Sequence, residues 1–122
     1  MNLSVGVDIV EIQRIAKAYE RFGERFMRRI YTSAEADYCR GRVGELAVRF
    51  AAKEAISKAL GTGVRGISWR EMEVLADARG KPQVFLHGRA RERARALGLT
   101  QFALSLSHSK EYAIASVVAT GL

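Results

Sequence analysis

One uninterrupted run of helix-forming residues, from Leu46 to Leu60, constrains the fold of this chain more than any other feature. The run reads LAVRFAAKEAISKAL, contains neither proline nor glycine, and is followed at once by Gly61-Thr62-Gly63. Alanine, leucine, lysine and glutamate favour helices, whereas glycine is common just beyond a helix end. The sequence therefore predicts one long helix that ends at the Gly-Thr-Gly segment.

The side chains of this run predict that one face of the helix is buried. Four alanines recur every four residues and form a ridge of small side chains that suits close packing. They are Ala47, Ala51, Ala55 and Ala59. Phe50, Glu54 and Lys58 form the row beside that ridge, which predicts Glu54 and Lys58 at the margin of the buried face. The alternative is a solvated face, on which an ion pair between Glu54 and Lys58 contributes only about 0.3–0.5 kcal/mol.

Apolar residues with a period of two predict strands before and after the helix. The predicted strands cover residues 5–9, 72–76, 83–86, 102–107 and 112–119, and the last is apolar enough to be central. Shorter helices are predicted from Ile12, beyond Gly23, after a Thr32–Glu35 capping box, and over 88–97. The fold class is therefore mixed α+β, with a small, mostly antiparallel sheet packed against one long central helix in a single domain of residues 1–122.

Composition narrows the possible partners and compartment. Twenty Lys and Arg against thirteen Asp and Glu give a net charge of +7, which favours nucleic acid, phosphates or acidic proteins as partners. The single cysteine, Cys39, excludes an intrachain disulfide and fits a reducing cytoplasm. We find no export signal and no run of membrane-spanning length, so we expect a cytoplasmic protein without a membrane partner.

Much of the positive charge lies in the first predicted helices. Arg14, Lys17 and Arg21 recur at i, i+3 and i+7, which places them together on a face that differs from the apolar one. The positive charge continues in the next helical piece, at Arg25, Arg28 and Arg29. This pattern predicts a basic surface.

Asp8, Glu54 and Lys58 are candidates for a site that handles phosphates. Mg²⁺ is usually held by one or two carboxylates together with substrate phosphates, and Asp8 with Glu54 can supply such a pair. The alternative for Asp8, at the predicted end of a strand and before a helix, is a helix N-cap. Lys58 precedes the Gly-Thr-Gly segment, whose glycines allow backbone N–H groups to approach a phosphate. The alternative for these glycines, favoured when they are considered alone, is an ordinary helix C-cap.

The two histidines are less informative. His108 ends the alternating strand 102–107 and by periodicity belongs to its apolar face, which favours a structural histidine whose hydrogen bonds are satisfied. Its position at a strand end leaves a ligand role open. His87 has no comparable setting, and we assign it no role.

Four blocks of sequence, taken in order, resemble the holo-acyl-carrier-protein synthases, which are short phosphopantetheinyl transferases. The blocks are Gly6 to Ile12, Arg49 to Gly63, Gly80-Lys81-Pro82 and Ser105 to Ser109. The second is the most specific, because its fifteen consecutive residues combine the central helix with the Gly-Thr-Gly loop. The resemblance covers nearly the whole chain and implies the 4′-phosphopantetheinyl transferase-like fold.

The resemblance also implies a reaction and its catalytic residues. Asp8 and Glu54 would bind magnesium together with the pyrophosphate of coenzyme A, while Lys58 would neutralise charge as that pyrophosphate is cleaved. The serine hydroxyl of an apo acyl carrier protein, deprotonated by Glu54 or by a metal-bound water, would attack the β-phosphate. Adenosine 3′,5′-bisphosphate would leave, and the transfer would serve fatty acid biosynthesis.

Binding residues and assembly follow from the same resemblance. Arg49 would meet the 3′-phosphate of coenzyme A. The other residues expected to line the coenzyme A site are Lys58, Gly61, Gly63, Pro82, His108 and Ser109. The docking surface for the carrier protein, called the basic face below, would consist of Arg14, Arg21, Arg25 and Arg28. Longer members of the superfamily carry two such halves in one chain, so this single half is expected to form a homotrimer with active sites between subunits.

Two other hypotheses can be weighed against this one. A small nucleic-acid-binding domain would suit the charge, but readers of single strands interleave aromatic with basic residues. The arginine-rich stretch 89–95 has no aromatic residue and 21–29 has only Phe22 and Phe26, so we expect no nucleic acid partner. A noncatalytic trimeric scaffold with the same fold is the other hypothesis, and the presence of the candidate catalytic residues argues against it.

Overall fold

The computed structural model describes residues 2–121, so Met1 and Leu122 of the predicted domain lie outside the described residues. In chain order the elements are β1 (Asn2–Glu11), α1 (Ile12–Phe22), α2 (Glu24–Ile30), α3 (Ser33–Cys39), α4 (Val43–Ala59), β2 (Met72–Ala76), β3 (Pro82–Leu86), α5 (Gly88–Ala96), β4 (Gln101–His108) and β5 (Tyr112–Gly121). A single 3₁₀ turn over Trp69–Glu71 lies between α4 and β2. Among residues 2–121, no helix is long and apolar enough to span a membrane.

The strands form two antiparallel sheets. β5 lies in the centre of a three-stranded sheet with β1 and β4 on either side, and β2 pairs with β3 in a separate hairpin. The predicted α+β class and the central position of the last strand are confirmed. The single small sheet that the sequence suggested is instead divided in two, although β3 still contacts β4.

The first strand is longer than its alternating residues predicted. β1 continues to Glu11, because β5 pairs with it along its whole length, as far as the Glu11–Tyr112 pair. Asp8 therefore lies inside the strand and does not cap a helix. The N-cap of α1 is Glu11, whose side chain makes no capping hydrogen bond. The N-cap alternative for Asp8 is wrong for this reason.

The long helix α4 packs against β1 and β5 through its small residues. The alanine ridge is buried, and Gly6 of β1 lies directly against it. A Cβ atom at Gly6 would stand only 1.9 Å from the carbonyl oxygen of Ala55. Strand and helix approach so closely here because neither has a large side chain between them. This contact brings the second half of β1 beside the second half of α4.

The sheet face turned away from α4 is apolar and uncovered. The side chains of Leu3, Val5, Val7 and Ile9 on β1 are between 55% and 65% exposed. The cross-strand neighbours Val118 and Ile114 continue this surface on β5. We call it the outer sheet face. Contiguous apolar surfaces of this kind are typical of interaction sites.

Candidate active site

Asp8 and Lys58 meet where β1 passes the last turn of α4. The Lys58 ammonium donates to Asp8 Oδ1 and to the Val7 carbonyl oxygen, each at 3.0 Å. Glu54 lies one turn earlier on the same side of the helix as Lys58, because residues four apart are neighbours on a helix surface. Lys58 is exposed and Glu54 is half-buried, as expected for the margin of a buried face. We call these three side chains the carboxylate–lysine cluster.

Burial and nearby charges shift the pKa of Glu54. Burial raises the pKa of Glu54, and the negative charge of Asp8 raises it further, whereas Lys58 and Arg14 lower it. Among the described residues Lys58 forms its ion pair with Asp8 and not with Glu54. The simple surface ion pair between Glu54 and Lys58 is therefore wrong, because Lys58 reaches across to β1.

The donor set of this cluster fits a magnesium ion shared with a ligand. Within residues 2–121, no three His, Cys, Asp or Glu side chains form a group that could hold a metal without further ligands. Mg²⁺ is commonly bound by only one or two carboxylates, with the other positions taken by water and phosphate oxygens. Asp8 and Glu54 provide two carboxylates whose mutual repulsion a divalent cation would relieve.

The Gly-Thr-Gly loop ends α4 as a C-cap. Gly61, at φ +76°, donates its N–H to the Lys58 carbonyl oxygen, and the N–H groups of Thr62 and Gly63 donate to the Ser57 carbonyl oxygen. The C-cap alternative is confirmed. These N–H groups point back to the helix, so they do not form a nest open to a phosphate. Gly61 is exposed and a Cβ at Gly63 would meet nothing within 4 Å, which leaves open space above the loop.

Arg49, Pro82 and His108 come together elsewhere, around a cavity of about 220 Å³. Only 2% of Arg49 is exposed, and its guanidinium pairs with Glu45 at 2.8 Å while lying 4.4 Å from the ring centroid of Tyr38. The three residues belong to α4, β3 and β4, so only the folded chain unites them. We call this group the arginine–histidine cluster.

His108 is exposed, although the periodicity of the strand predicted that it lies on an apolar face. It does share a strand face with Leu104, but β4 ends here and the residue opposite, Gly44 of α4, has no side chain to cover the ring. The adjacent Ser109 uses its hydroxyl oxygen to accept the N–H groups of Glu111 and Tyr112, at 3.3 and 3.2 Å. Ser109 thereby orders the β4–β5 turn beside His108.

The two clusters lie on opposite sides of α4. Arg49 and Lys58 are nine residues apart, and at 3.6 residues per turn their side chains project in directions about half a turn apart. The contacts agree with this geometry, since Arg49 donates to Val74 of β2 whereas Lys58 donates to β1. The structure therefore unites Asp8, Glu54 and Lys58, and separately Arg49, Pro82 and His108, but does not bring the two clusters together.

The four arginines of the predicted basic face are all exposed, on α1 and α2. Arg14 lies within the field of Glu54, at the end of the surface nearest the carboxylate–lysine cluster. Arg25 lines a cavity of about 340 Å³ together with Phe22, Phe26 and Trp69. The basic face thus runs from the carboxylate–lysine cluster to a partly apolar cavity.

The contacts of Lys53 with Glu35 and of His87 with Glu73 were not predicted. Lys53 is fully buried in an ion pair with Glu35, although the sequence suggested only that Glu35 caps α3. Lys53 has no acidic neighbour three or four residues away on its own helix, and this was the available signal that its partner lies elsewhere. His87, to which we assigned no role, contacts Glu73 with 3.0 Å between Nε2 and Oε1.

The sequence of this chain is similar to that of known proteins over nearly its whole length. Residues 4–117 match the family described as the 4′-phosphopantetheinyl transferase superfamily. A holo-[acyl-carrier-protein] synthase of Herpetosiphon aurantiacus is 50% identical over 126 residues, which cover 98% of this chain and 99% of that protein.

Solved structures resemble the fold over nearly its whole length. The holo-[acyl-carrier-protein] synthase of Helicobacter pylori in complex with coenzyme A aligns with a TM-score of 0.87 and 32% identity, covering 95% of this chain and 99% of that one. A holo-(acyl-carrier-protein) synthase from Bacillus anthracis in complex with CoA (3′,5′-ADP) aligns with a TM-score of 0.81 and 37% identity, covering both chains completely.

Proposed function

Because this chain belongs to the 4′-phosphopantetheinyl transferase superfamily, we propose that it transfers the 4′-phosphopantetheine group of coenzyme A to a serine of apo acyl carrier protein. The observation that carries the proposal is the meeting of Asp8, Glu54 and Lys58 at the contact of β1 with α4. Adenosine 3′,5′-bisphosphate is the second product, and the expected role is in fatty acid biosynthesis. The relatives named above are holo-acyl-carrier-protein synthases, and two are bound to coenzyme A or its nucleotide part.

The cluster offers the groups that phosphoryl transfer needs. The serine oxygen forms a bond to the β-phosphorus, and the bond from that phosphorus to the bridging oxygen breaks, so negative charge moves onto the leaving 3′,5′-bisphosphate. Lys58 is exposed and can turn its ammonium from Asp8 to this charge. The serine proton would pass to Glu54 or to a water molecule in the site. Positioning and charge neutralisation account for most of the catalysis of such transfers.

Asp8 and Glu54 are the residues proposed to hold magnesium. When bound with the coenzyme A pyrophosphate, the ion would neutralise phosphate charge and polarise the phosphorus–oxygen bonds. Two carboxylates on separate elements suit this task, because strand and helix are held together through the Gly6–Ala55 contact. Asp8 reaches the site from β1 and Glu54 from α4.

The arginine–histidine cluster is proposed to bind the nucleotide end of coenzyme A. Arg49 offers a permanent positive charge for the 3′-phosphate, and Pro82, His108 and Ser109 would line the same site. Gly61 and Gly63 would instead allow the ligand to pass close to the end of α4. The nucleotide and pyrophosphate contacts thus belong to different sides of α4.

This separation supports a homotrimer with active sites between subunits. One copy would supply the carboxylate–lysine cluster and its neighbour the arginine–histidine cluster, so that a single coenzyme A meets both. The outer sheet face supports the same assembly, because its uncovered apolar side chains gain stability when a neighbouring copy buries them. The basic face would then remain free for an acidic carrier protein, rather than for nucleic acid.

A transfer assay tests the proposal directly. Apo carrier protein is incubated with the enzyme, coenzyme A and magnesium, and the mass of the carrier is measured; we expect the mass to increase by one phosphopantetheine group. Glu54→Gln is expected to abolish the increase and to melt near the wild-type temperature. Glu92→Gln is the matched control, because Glu92 is an exposed residue of α5 whose carboxylate pairs with Arg95 on the protein surface. A near-normal rate of Glu54→Gln, or a full rate with the metal chelated, would contradict the assignment.

A further inference from the structure

Lys53 and Glu35 form an ion pair that is completely shielded from solvent. The ammonium of Lys53 lies 2.8 Å from Glu35 Oε1, and neither side chain has any exposed surface. Lys53 also donates to the carbonyl oxygens of Met72 at 2.7 Å and Trp69 at 3.1 Å. The pair therefore connects α4 to β2 and to the 3₁₀ turn that precedes it.

Glu35 extends the same network to α3 and to a second point of β2. Its carboxylate accepts the N–H of Thr32 at 2.9 Å and the N–H of Val74 at 2.7 Å. Among residues 2–121, no buried side-chain nitrogen or oxygen lacks a hydrogen-bond partner. A buried polar network in which every member is satisfied rigidifies the segments that it joins.

Stability alone does not account for such a pair. The cost of removing two charges from water cancels most of their attraction, and apolar residues of the same shape often serve equally well in a core. What the pair adds is a defined orientation of α4. The Lys53 ammonium can make its three hydrogen bonds only when α4 lies in one position. Loss of the ion pair is therefore expected to change the position of α4.

The Lys53 network holds one side of α4, and β1 and β5 hold the other. On that other side the alanine ridge packs against Gly6 of β1, and the Ser4 hydroxyl donates to the Ala59 carbonyl oxygen at 2.6 Å. Lys53 immediately precedes Glu54 in the chain, and their side chains project about 100° apart around the helix. A rotation or shift of α4 that the Lys53 contacts prevent would therefore displace Glu54 and Lys58 from Asp8.

We propose that the Lys53–Glu35 ion pair is a positioning pair, which fixes α4 so that Glu54 and Lys58 face Asp8 in the reactive arrangement. This inference rests on the proposed roles of Glu54 and Lys58. Both side chains are fully buried, so neither is exposed to a bound substrate. Misplacement of catalytic groups by about 1 Å can lower a rate roughly a hundredfold, so a small displacement of α4 is enough to be measured.

The test replaces the pair in two ways. Lys53→Met combined with Glu35→Gln removes both charges and keeps the side-chain volumes, while Glu35→Asp keeps both charges and withdraws the carboxylate by one methylene group. Ile56→Val is the matched control, because Ile56 is a fully buried residue of the same helix outside the network. Melting temperature, kcat, the KM for coenzyme A and the affinity for Mn²⁺ alone, by electron paramagnetic resonance, are measured for each variant.

We expect the double variant to stay folded but to melt below the wild-type temperature, because the carbonyl oxygens of Met72 and Trp69 lose their donor. Under conditions in which it is folded, its kcat should fall roughly tenfold or more. The KM for coenzyme A should change by less than kcat, and Mn²⁺ should bind more weakly because Asp8 and Glu54 no longer converge. Glu35→Asp should show the same pattern to a smaller extent, and Ile56→Val should keep the wild-type kcat.

Three outcomes would overturn the proposal. One is a folded double variant with wild-type kcat and Mn²⁺ affinity, and another is a loss of kcat in Ile56→Val as large as that in the double variant. The third is unfolding of both the double variant and Glu35→Asp, since the pair would then maintain the fold itself.

Glu54→Gln in the same series separates this inference from the proposed function. If Glu54→Gln is active, the proposed site fails; if it is inactive and the double variant is active, only the positioning pair fails.

Discussion

Gly6 shows how one residue sets the distance between the two elements that carry the proposed catalytic carboxylates, Asp8 and Glu54. We expect Gly6→Ala to push β1 away from α4, because its Cβ would stand 1.9 Å from the Ala55 carbonyl oxygen and 3.1 Å from the Ala59 amide nitrogen. Backbone atoms cannot yield as a flexible side chain does, so the free energy of unfolding should fall by about 1–3 kcal/mol. Asp8 lies two residues away and would move with the strand.

Urea unfolding and the transfer rate together check this prediction. The rate of Gly6→Ala should fall more than tenfold under conditions in which the variant is still folded, because Asp8 loses its place opposite Glu54. Wild-type stability and rate in this variant would show that β1 tolerates a wider separation from α4.

Glu73 gives a prediction about pH. Burial raises the pKa of Glu73, but hydrogen bonds from Thr32 and His87 and nearby positive charge outweigh this and hold the pKa below its ordinary value of 4.5. A lowered pKa in the folded state stabilises the protein above the unfolded pKa, and this contribution is lost as the pH falls through the folded value. Glu73→Gln should therefore be less stable than wild type at pH 7, by about 1 kcal/mol. Below pH 4.5 the difference in the free energy of unfolding between Glu73→Gln and wild type should become smaller. Urea unfolding at pH 7 and below pH 4.5 measures this difference. If it stays the same at both pH values, the stabilisation does not come from the ionised carboxylate.

For single residues, the sequence predicts positions that depend on local spacing. It does not reveal contacts between residues that are far apart in the chain. Glu54 and Lys58 could be placed at the edge of a buried helix face because helical periodicity is local. Lys53 lies on the same helix, yet its partner Glu35 is 18 positions earlier and was assigned only the local task of capping. The exposure of His108 depended on the absence of a side chain at Gly44, which strand periodicity does not report.

At the scale of elements, α1 and α2 combine charge with an apolar cavity. The arginines proposed for docking are exposed, and Arg25 borders a cavity that is also lined by Trp69, the single tryptophan of the chain. An acidic carrier helix would find positive charge there and a place for an apolar side chain. Trp69 is thus a natural fluorescence reporter for the binding of a carrier protein to this surface.

We expect Arg25→Glu to raise the KM for the carrier protein roughly five- to tenfold and to leave the affinity for coenzyme A unchanged. The change of Trp69 fluorescence on adding apo carrier should shift to higher carrier concentration by a similar factor. Arg25 is a cleaner test than Arg14, because Arg14 also lowers the pKa of Glu54 and its reversal would disturb the chemistry. Arg95→Glu is the matched charge reversal on α5, and equal losses of both affinities in Arg25→Glu would exclude docking as the cause.

The extent and grouping of strands were harder to predict than the helices. The run 46–60 contained its own signals for the body and the end of α4, and only its start, at Val43, lay outside the predicted range. The length of β1 depends on pairing with β5 at the other end of the chain, so the alternation of Val5, Val7 and Ile9 could not define it. The division into two sheets likewise results from contacts between distant segments.

At the scale of the whole molecule, the two clusters lie on opposite sides of α4. This separation predicts active sites that are shared between two subunits. If one active site takes Glu54 from one subunit and Arg49 from its neighbour, Glu54→Gln and Arg49→Gln damage different halves of that site. Each variant alone should be nearly inactive, because all its sites carry the defect. In a mixed trimer, however, one interface pairs the intact half of one variant with the intact half of the other.

Co-expression of the two variants with different affinity tags, followed by purification through both tags, isolates these mixed assemblies. A heterologous ring of three then contains one intact site, so activity should return to about one third of the wild-type rate. Glu54→Gln mixed with Lys58→Met is the matched control and should stay inactive, because both defects lie in the same half and every site receives one of them. No recovery in the first mixture, with trimers verified by mass, would mean that each copy builds its site alone and that coenzyme A does not bridge the two clusters.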